Sequence, residues 1–224
     1  MRPAPDPIDA AYARFENLLK DVATLGDTLF TETDARVKII DTMFLDVLGW
    51  HKSQLQTEEK AGPGFLDYKF SVDAHARLVV EAKRDGRRFD LSSRHAGETY
   101  KLSGAVFKNA DIQEGINQAI QYSGYKNTEL ACVSNGQEWV VFRSNRLGDG
   151  LDTLDGQAFV FPSLDAVKQK FGLFYDLLAE VKVRNLTFRG MFQEAEGRVI
   201  RHRTFEKRLR PAETARFIPQ PDIV

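Results

Sequence analysis

Three charged residues lie in or at the end of two short runs of β-forming residues. Asp67 follows Phe65-Leu66, while Glu81 and Lys83 end the run that begins with Leu78-Val79-Val80. Because side chains alternate along a strand, Glu81 and Lys83 share one face. A hairpin that joins the two runs brings Asp67 within reach of Glu81. Charges at the end of an apolar strand are costly to bury unless they are paired or bind a ligand.

Two carboxylates this close form an oxygen-ligand site that suits Mg²⁺, which needs one or two carboxylates and keeps several waters. A neighbouring lysine can orient or deprotonate a water and balance developing negative charge. The chemistry that this pattern favours is metal-assisted hydrolysis of a phosphodiester. The same pattern also arises by chance, and Glu81 with Lys83 could equally be a surface ion pair. Both interpretations stay open on the pattern alone.

A polar pair on a later helix adds to these residues. Gln118 and Tyr122 are four residues apart and therefore project from one helical face. Asp111 and Glu114 form a capping-box-like pair that is expected to open this helix. The amide and the phenol could orient a lysine or a phosphate, and a half-exposed polar face is the alternative.

The elements that must position these residues follow from periodicity and from turn residues. Predicted helices run from Asp6-Pro7 to Gly26, from about Thr31 to Gly49, from Asp111, from Ser163 to Phe171, and from Phe174 to about Val183. Predicted strands cover 65–72, 78–83, 130–134 and 138–142, with a five-residue connection between the first two and Asn135-Gly136 between the last two. Residues 84–108 are predicted to be mostly loop, with a possible strand at 101–107. This order predicts an α/β (α+β) domain with a mixed sheet covered by helices.

Six motifs along the chain occur in an order that resembles a known family. They are Glu32 with Arg36, Leu48-Gly49-Trp50, Leu66-Asp67-Tyr68, Glu81-Ala82-Lys83-Arg84, Gln118 through Tyr122, and Ser134-Asn135-Gly136 with Trp139 and Phe142. The chain resembles the N-terminal nuclease domain of type I restriction enzyme motor subunits, within the PD-(D/E)XK nuclease superfamily. The resemblance covers residues 28–145, about half of the chain, and implies a restriction-endonuclease-like mixed sheet flanked by helices.

The resemblance implies a role for each matching residue. Asp67 and Glu81 match the metal-binding acids, with the carbonyl of Ala82 as a further ligand, and Lys83 matches the catalytic lysine. Gln118 and Tyr122 match an accessory pair near the active site. Glu32 matches a helical acid that completes the metal site. The expected cofactor is Mg²⁺, with Mn²⁺ able to substitute for it.

Two features depart from the family pattern. Leu66 stands where the superfamily name has proline, a position at which relatives accept apolar residues. The segment from Arg84 to Asp111 does not align with the family.

Charge is distributed unevenly along a chain whose formal net charge is −1, with 31 Lys and Arg against 32 Asp and Glu. The overall balance does not indicate a nucleic-acid partner, but two basic clusters do. The first cluster follows the candidate site and is predicted to contact phosphates through Arg84, Arg87, Arg88 and Arg94. The second lies between Arg198 and Arg210. Either cluster could instead be a solvated face.

The sequence therefore predicts a nuclease domain over residues 1–197 and a basic, proline-bearing arm over 198–224. The expected function is Mg²⁺-dependent endonucleolytic cleavage of DNA, with double-stranded DNA as the expected substrate. The domain is expected to be the N-terminal effector of a larger prokaryotic restriction-modification or antiviral defence protein. We expect it to work with a motor or sensor module, present either as a C-terminal extension or as a partner subunit. We also expect it to form a homodimer or a higher oligomer. The alternatives are an inactive DNA-binding or dimerisation module of the same fold and a nuclease that acts on RNA.

The cysteine count and the hydropathy of the chain exclude several other kinds of site and segment. Cys132 is the single cysteine, which excludes an intrachain disulfide and a cysteine-based zinc site. No apolar stretch approaches the length of a membrane span or resembles a signal peptide. A cytoplasmic protein without a membrane partner is expected.

Overall fold

The computed structural model describes residues 6–24, 36–83, 88–91, 96–146 and 150–197, with the backbone alone at 36–38. The chain divides into two compact units, Met1–Phe188 and Arg189–Val224. The predicted arm at 198–224 lies outside the described residues, so its boundary stays a prediction. No helix within the described residues is both long enough and apolar enough to cross a membrane.

The described residues form a mixed sheet of seven strands in the order β1-β2-β3-β5-β6-β7-β4. The strands are β1 Leu55–Ala61, β2 Gly64–Val72, β3 His75–Ala82, β4 Glu98–Lys101, β5 Leu130–Ser134, β6 Trp139–Arg143 and β7 Gln157–Phe161. Strands β3 and β5 pair in parallel, and the other neighbours pair antiparallel. The predicted fold class is confirmed, since this arrangement is consistent with a restriction-endonuclease-like α+β fold.

Helices flank the sheet. They are α1 Pro7–Thr24, α2 Ala110–Lys126, α3 Leu164–Gln169, α4 Phe171–Leu178 and α5 Glu180–Arg184, with π-helical segments at Arg36–Asp41 and Met43–Val47. A further helix, α6 Phe188–Ala195, falls almost entirely within the second unit. The predicted cap of α1 is confirmed, because Asp6 Oδ1 accepts a hydrogen bond from Ile8 N at 3.1 Å. The predicted start of the second helix near Thr31 lies outside the described residues.

Two apolar layers hold helices on opposite faces of the sheet. On one face, aromatic rings join the helical segments to the strands: Phe70 lies 4.5 Å from Phe44, and Trp139 lies 5.3 Å from Phe174 between ring centroids. On the other face, α2 buries Ile112, Ile116 and Ala119 in a cluster with side chains of β5, β6 and β7. The second layer matters for the site, because it fixes α2 against β3 and β5.

Three local predictions were wrong or incomplete. The connection between β2 and β3 has two residues instead of five, because Asp73 and Ala74 both adopt the left-handed conformation that closes a tight hairpin (φ 50° and 64°). Asn109, not Asp111, caps α2 by accepting from Asp111 N at 2.9 Å. The possible strand at 101–107 is instead β4 at 98–101 followed by a 3₁₀ turn, Ala105–Phe107.

Strands β1 and β7 were also not predicted. The residues of β1 are mostly polar, as suits an edge strand, and give no apolar alternation. Strand β7 is Gln157 followed by four apolar residues, a run that periodicity cannot distinguish from a piece of buried helix.

Candidate active site

Asp67 and Glu81 lie opposite each other at one end of the β2–β3 ladder. The last pair of that ladder is Tyr68 with Val80, and one further step in the same register sets Asp67 across from Glu81. At this point Ala82 N donates a hydrogen bond to Oδ2 of Asp67 at 2.8 Å. The carboxylate of Asp67 thus accepts the hydrogen bond that a backbone carbonyl would accept in a regular ladder. The donor is the backbone amide of the residue directly after Glu81.

Lys83 forms a buried ion pair with Glu81. The two residues are 8% and 5% exposed, and Lys83 Nζ donates to Oε1 of Glu81 at 3.0 Å. Lys83 N donates to the carbonyl of Ser134 at 2.8 Å, which extends the β3–β5 pairing past the end of β3. A buried ion pair is weak evidence for stability, because removing two charges from water offsets most of their attraction.

Helix α2 supplies a third group to this pair. Lys83 Nζ donates to Oε1 of Gln118, and Nε2 of Gln118 donates to Oε1 of Glu114 at 3.3 Å. The same Glu114 oxygen lies 3.8 Å from Lys83 Nζ. Glu114 and Gln118 are one helical turn apart, so α2 presents both to the lysine. Together these contacts hold the ammonium in one position.

Tyr122 lies one turn further along α2 and is 7% exposed. Burial, followed by the negative charges of Glu81 and Asp67, raises the pKa of Tyr122 above its ordinary value of 10.0. The phenol is therefore protonated at neutral pH and can act as a hydrogen-bond donor. Its oxygen lies against Gly64, where an added Cβ would stand only 2.6 Å from Oη.

Gly115 allows α2 to approach the Lys83 side chain and β5 closely. A Cβ at this position would lie 2.7 Å from Cγ1 of Val133 and 3.4 Å from Cε of Lys83. The aliphatic part of the lysine therefore crosses the helix at a glycine. The sequence analysis missed Gly115, because a glycine within a helical pattern reveals nothing about what packs against it.

The oxygen donors at this position fit a magnesium ion by their chemistry. Asp67 and Glu81 provide hard carboxylate oxygens, and the carbonyl of Ala82 belongs to the residue between Glu81 and Lys83. Within the described ranges no group of three His, Cys, Asp or Glu residues is assembled. Glu32, the predicted additional ligand, lies outside those ranges, so its role stays a prediction.

The predicted phosphate-contacting arginines are only partly described. Arg88 is exposed, and its carbonyl accepts a hydrogen bond from Nδ2 of Asn109 at 3.1 Å. Arg84, Arg87 and Arg94 lie outside the described residues. Their contacts with nucleic acid stay predictions.

Glu138 is a buried carboxylate that the sequence analysis assigned no role. It accepts hydrogen bonds from Phe89 N at 2.7 Å, Leu91 N at 3.1 Å and Nδ2 of Asn135 at 2.9 Å. These bonds hold the short segment 88–91 against the β5–β6 turn. Asn135-Gly136 identified the turn in the sequence, but no local pattern identified what its glutamate binds.

The fold and the site define an α+β protein in which two acids and a lysine meet at the end of the central strands. No protein-family model and no curated protein matches this chain. Among solved structures, the type IIG restriction endonuclease BpuSI is similar, with a TM-score of 0.32 and 12% sequence identity. The similarity covers 85% of this chain and 18% of that one, so this chain spans under a fifth of the enzyme's length. The functional assignment therefore depends on the geometry of the site.

Proposed function

We propose that this protein is a metal-dependent phosphodiesterase that cleaves DNA internally. One observation carries the proposal: the acids of β2 and β3 meet beside a buried lysine that helix α2 holds in place. Asp67 is bonded to the backbone after Glu81, and Lys83 contacts both Glu81 and Gln118. Acids, a lysine and hydrogen-bonding groups in this arrangement serve hydrolysis of a phosphate ester.

Each side chain has a role that follows from its contacts. Asp67, Glu81 and the Ala82 carbonyl would hold Mg²⁺, which when bound polarises a phosphoryl oxygen and lowers the pKa of a water. Lys83 places a positive charge beside these acids, where it orients the attacking water and balances negative charge on the phosphate. Gln118 fixes the lysine, and the protonated Tyr122 can donate a hydrogen bond towards the acids or a phosphate oxygen.

An exposed aromatic ring beside the site supports a nucleic-acid substrate. Phe65 is 66% exposed and lies two residues before Asp67 on β2. A solvent-facing ring at that position can stack on a base, a contact worth about 1–3 kcal/mol per base. We expect Phe65→Ala to weaken cleavage of DNA more than cleavage of a small phosphodiester such as bis(p-nitrophenyl) phosphate.

Plasmid cleavage tests the proposal. We expect nicking or linearisation with Mg²⁺ or Mn²⁺, none with EDTA, and a loss of about a hundredfold or more in Lys83→Gln. Lys101→Gln is the matched control, because Lys101 lies on the edge strand β4 and pairs with Asp155 where both side chains are half exposed. Cleavage that survives EDTA, or that survives Lys83→Gln in a folded variant, would contradict the proposal.

The same assay separates the alternatives. A DNA-binding or dimerisation module without activity would retain DNA but cleave none under any metal tested. A nuclease specific for RNA would cleave structured RNA and leave duplex and single-stranded DNA intact. We further propose that the domain works in the cytoplasm with a motor or sensor module of a restriction or antiviral defence system, and as a dimer. Light scattering with and without DNA tests the dimer.

A further inference from the structure

A polar cavity lies at the opposite end of β3 from the acids. Its volume is about 390 Å³. It is lined by the β2–β3 turn, by the first residues of β3, by the C-terminal end of α2 and by the residue that precedes β5. Arg77 lies four residues before Glu81, which corresponds to about 13 Å along a strand. The β2–β3 register shifts beside Arg77, and Tyr122 of α2 packs on Val79, which lies between Arg77 and Glu81. The cavity is therefore a separate compartment from the proposed active site.

The charge of this cavity is strongly positive. Three permanent cations line it, Arg77, Lys126 and Arg143, against a single carboxylate, Glu129. The ammonium of Lys126 is bound by Oε1 of Glu59 at 2.7 Å and by the carbonyl of Lys60 at 3.0 Å. Arg143 Nη2 lies 3.8 Å from Oε2 of Glu129.

Arg77 differs from the other two cations. Among the described residues it has neither an ion pair nor a hydrogen bond through its side chain, and its Nε atom is completely buried. A buried guanidinium donor without an acceptor is costly. Arg77 as a whole is part-exposed and lines the cavity, so an anion there would supply the counter-charge that the guanidinium lacks, and a planar guanidinium matches the oxygens of a phosphate in particular.

We propose that this cavity binds a phosphate group through Arg77, with Arg143 completing its positive rim. Arg77 supplies a positive charge that no carboxylate among the described residues pairs with, and the volume exceeds that of one phosphate alone. The amide groups of Asn127 and Asn145, which bond each other at 3.1 Å at the cavity wall, offer hydrogen bonds to the remainder of a larger ligand. The phosphate belongs either to a free nucleotide or to the backbone of a nucleic acid. This site does not depend on the proposed nuclease activity.

The competing explanation is that these cations only balance the negative C-terminal end of α2. That explanation predicts no ligand and no saturable binding. It also predicts that replacing Arg77 changes stability alone. Binding measurements on the intact chain therefore separate the two explanations.

The experiment titrates inorganic phosphate and, separately, deoxyadenosine monophosphate into the full chain by calorimetry. EDTA is present so that no divalent metal retains phosphate at Asp67 and Glu81. We expect saturable binding that weakens about tenfold or more in Arg77→Gln, since a charge-assisted hydrogen bond is worth roughly 1.5–3 kcal/mol. Lys101→Gln removes the same charge at the far edge strand and should bind as the wild type does.

Further variants and ligands keep the test decisive. Arg77→Lys keeps the positive charge but lacks the paired N–H donors of the planar guanidinium, so it should bind with intermediate affinity. Phosphate should also raise the melting temperature of the wild type at constant ionic strength, which needs no variant. Binding of a DNA duplex at several salt concentrations identifies the source of the phosphate. If Arg77→Gln lowers the slope of the logarithm of the binding constant against the logarithm of the salt concentration by about one, the phosphate is a backbone phosphate. A loss confined to the free ligands indicates a nucleotide.

Two results would overturn the proposal. One is the absence of saturable phosphate binding and of thermal stabilisation in the wild type. The other is a folded Arg77→Gln protein with unchanged affinity for every ligand.

Discussion

The close packing at Gly115 leads to a quantitative prediction for Gly115→Ala. In the present geometry the added Cβ would stand 2.7 Å from Cγ1 of Val133, whereas carbon atoms in contact are normally separated by about 3.5–4.0 Å. The helix or the strand must therefore move by about 1 Å. Helix α2 carries Gln118, which contacts the Lys83 ammonium, so this movement changes the position of the lysine relative to the acids.

Two opposing contributions determine the stability of this variant. Alanine is favoured over glycine within a helix by about 1 kcal/mol, while overpacking a well-packed core costs about 1–3 kcal/mol. Gly124→Ala is the matched control, because Gly124 lies in the same helix and its added Cβ would meet no atom within 4 Å. We expect the control to be stabilised by about 1 kcal/mol and Gly115→Ala to be less stable than the control by about 1–3 kcal/mol.

Urea unfolding of both variants measures the difference in free energy, and plasmid cleavage measures the effect on the site. A displacement of 1 Å at a catalytic group can lower the rate by about a hundredfold, so Gly115→Ala should lose activity while Gly124→Ala keeps it. Adding Val133→Ala to Gly115→Ala removes the contacted methyl group and should recover part of the lost stability. The double-mutant cycle should therefore show a coupling energy of about 1 kcal/mol between the two positions. The reasoning is refuted if Gly115→Ala gains as much stability as Gly124→Ala and shows no coupling to Val133.

Three further predictions follow from buried or paired groups. Glu138→Ala leaves the amides of Phe89 and Leu91 without their acceptor, so urea unfolding should show a loss of about 2–4 kcal/mol, and an unchanged protein would contradict this. Burial raises the pKa of the Cys132 thiol, so a thiol reagent should label none of the native protein at pH 8 and one equivalent after unfolding. The hydrogen bond from Lys126, and then that from Lys69, lowers the pKa of Glu59 below its ordinary 4.5, so the charged form stabilises the fold above that pH. The stability difference between wild type and Glu59→Gln should therefore shrink as the pH falls through the lowered pKa, and a difference independent of pH would contradict it.

Much of the framework follows from local sequence. The helix starting at Asp6-Pro7, the strand Leu130–Ser134 and the strand from Gly64 to Val72 were recognisable from periodicity and turn residues. The grouping of Asp67, Glu81 and Lys83 was also predictable, because a hairpin and side-chain alternation bring such positions together in any register that buries the apolar face.

Other features depend on contacts between segments that are distant in the chain. The two-residue turn at Asp73-Ala74 departs from the usual asparagine and glycine, so its length could not be read from residue types. Separate elements are joined by the hydrogen bonds that Glu138 accepts from Phe89 N and Leu91 N, and by the approach of Gly115 to Val133. No window of sequence contains both partners of such a contact.

The amino-acid sequence by itself determined which groups this protein has available for chemistry and which strands carry them. Only the tertiary structure decided how those groups meet: Asp67 bonded to the backbone after Glu81, Lys83 held by Gln118, and Arg77 at a cavity, its buried Nε without an acceptor among the described residues. The physical reason is that residue type and alternation are local properties. Burial, hydrogen-bond partners and close packing arise only when α2 and the strands are assembled.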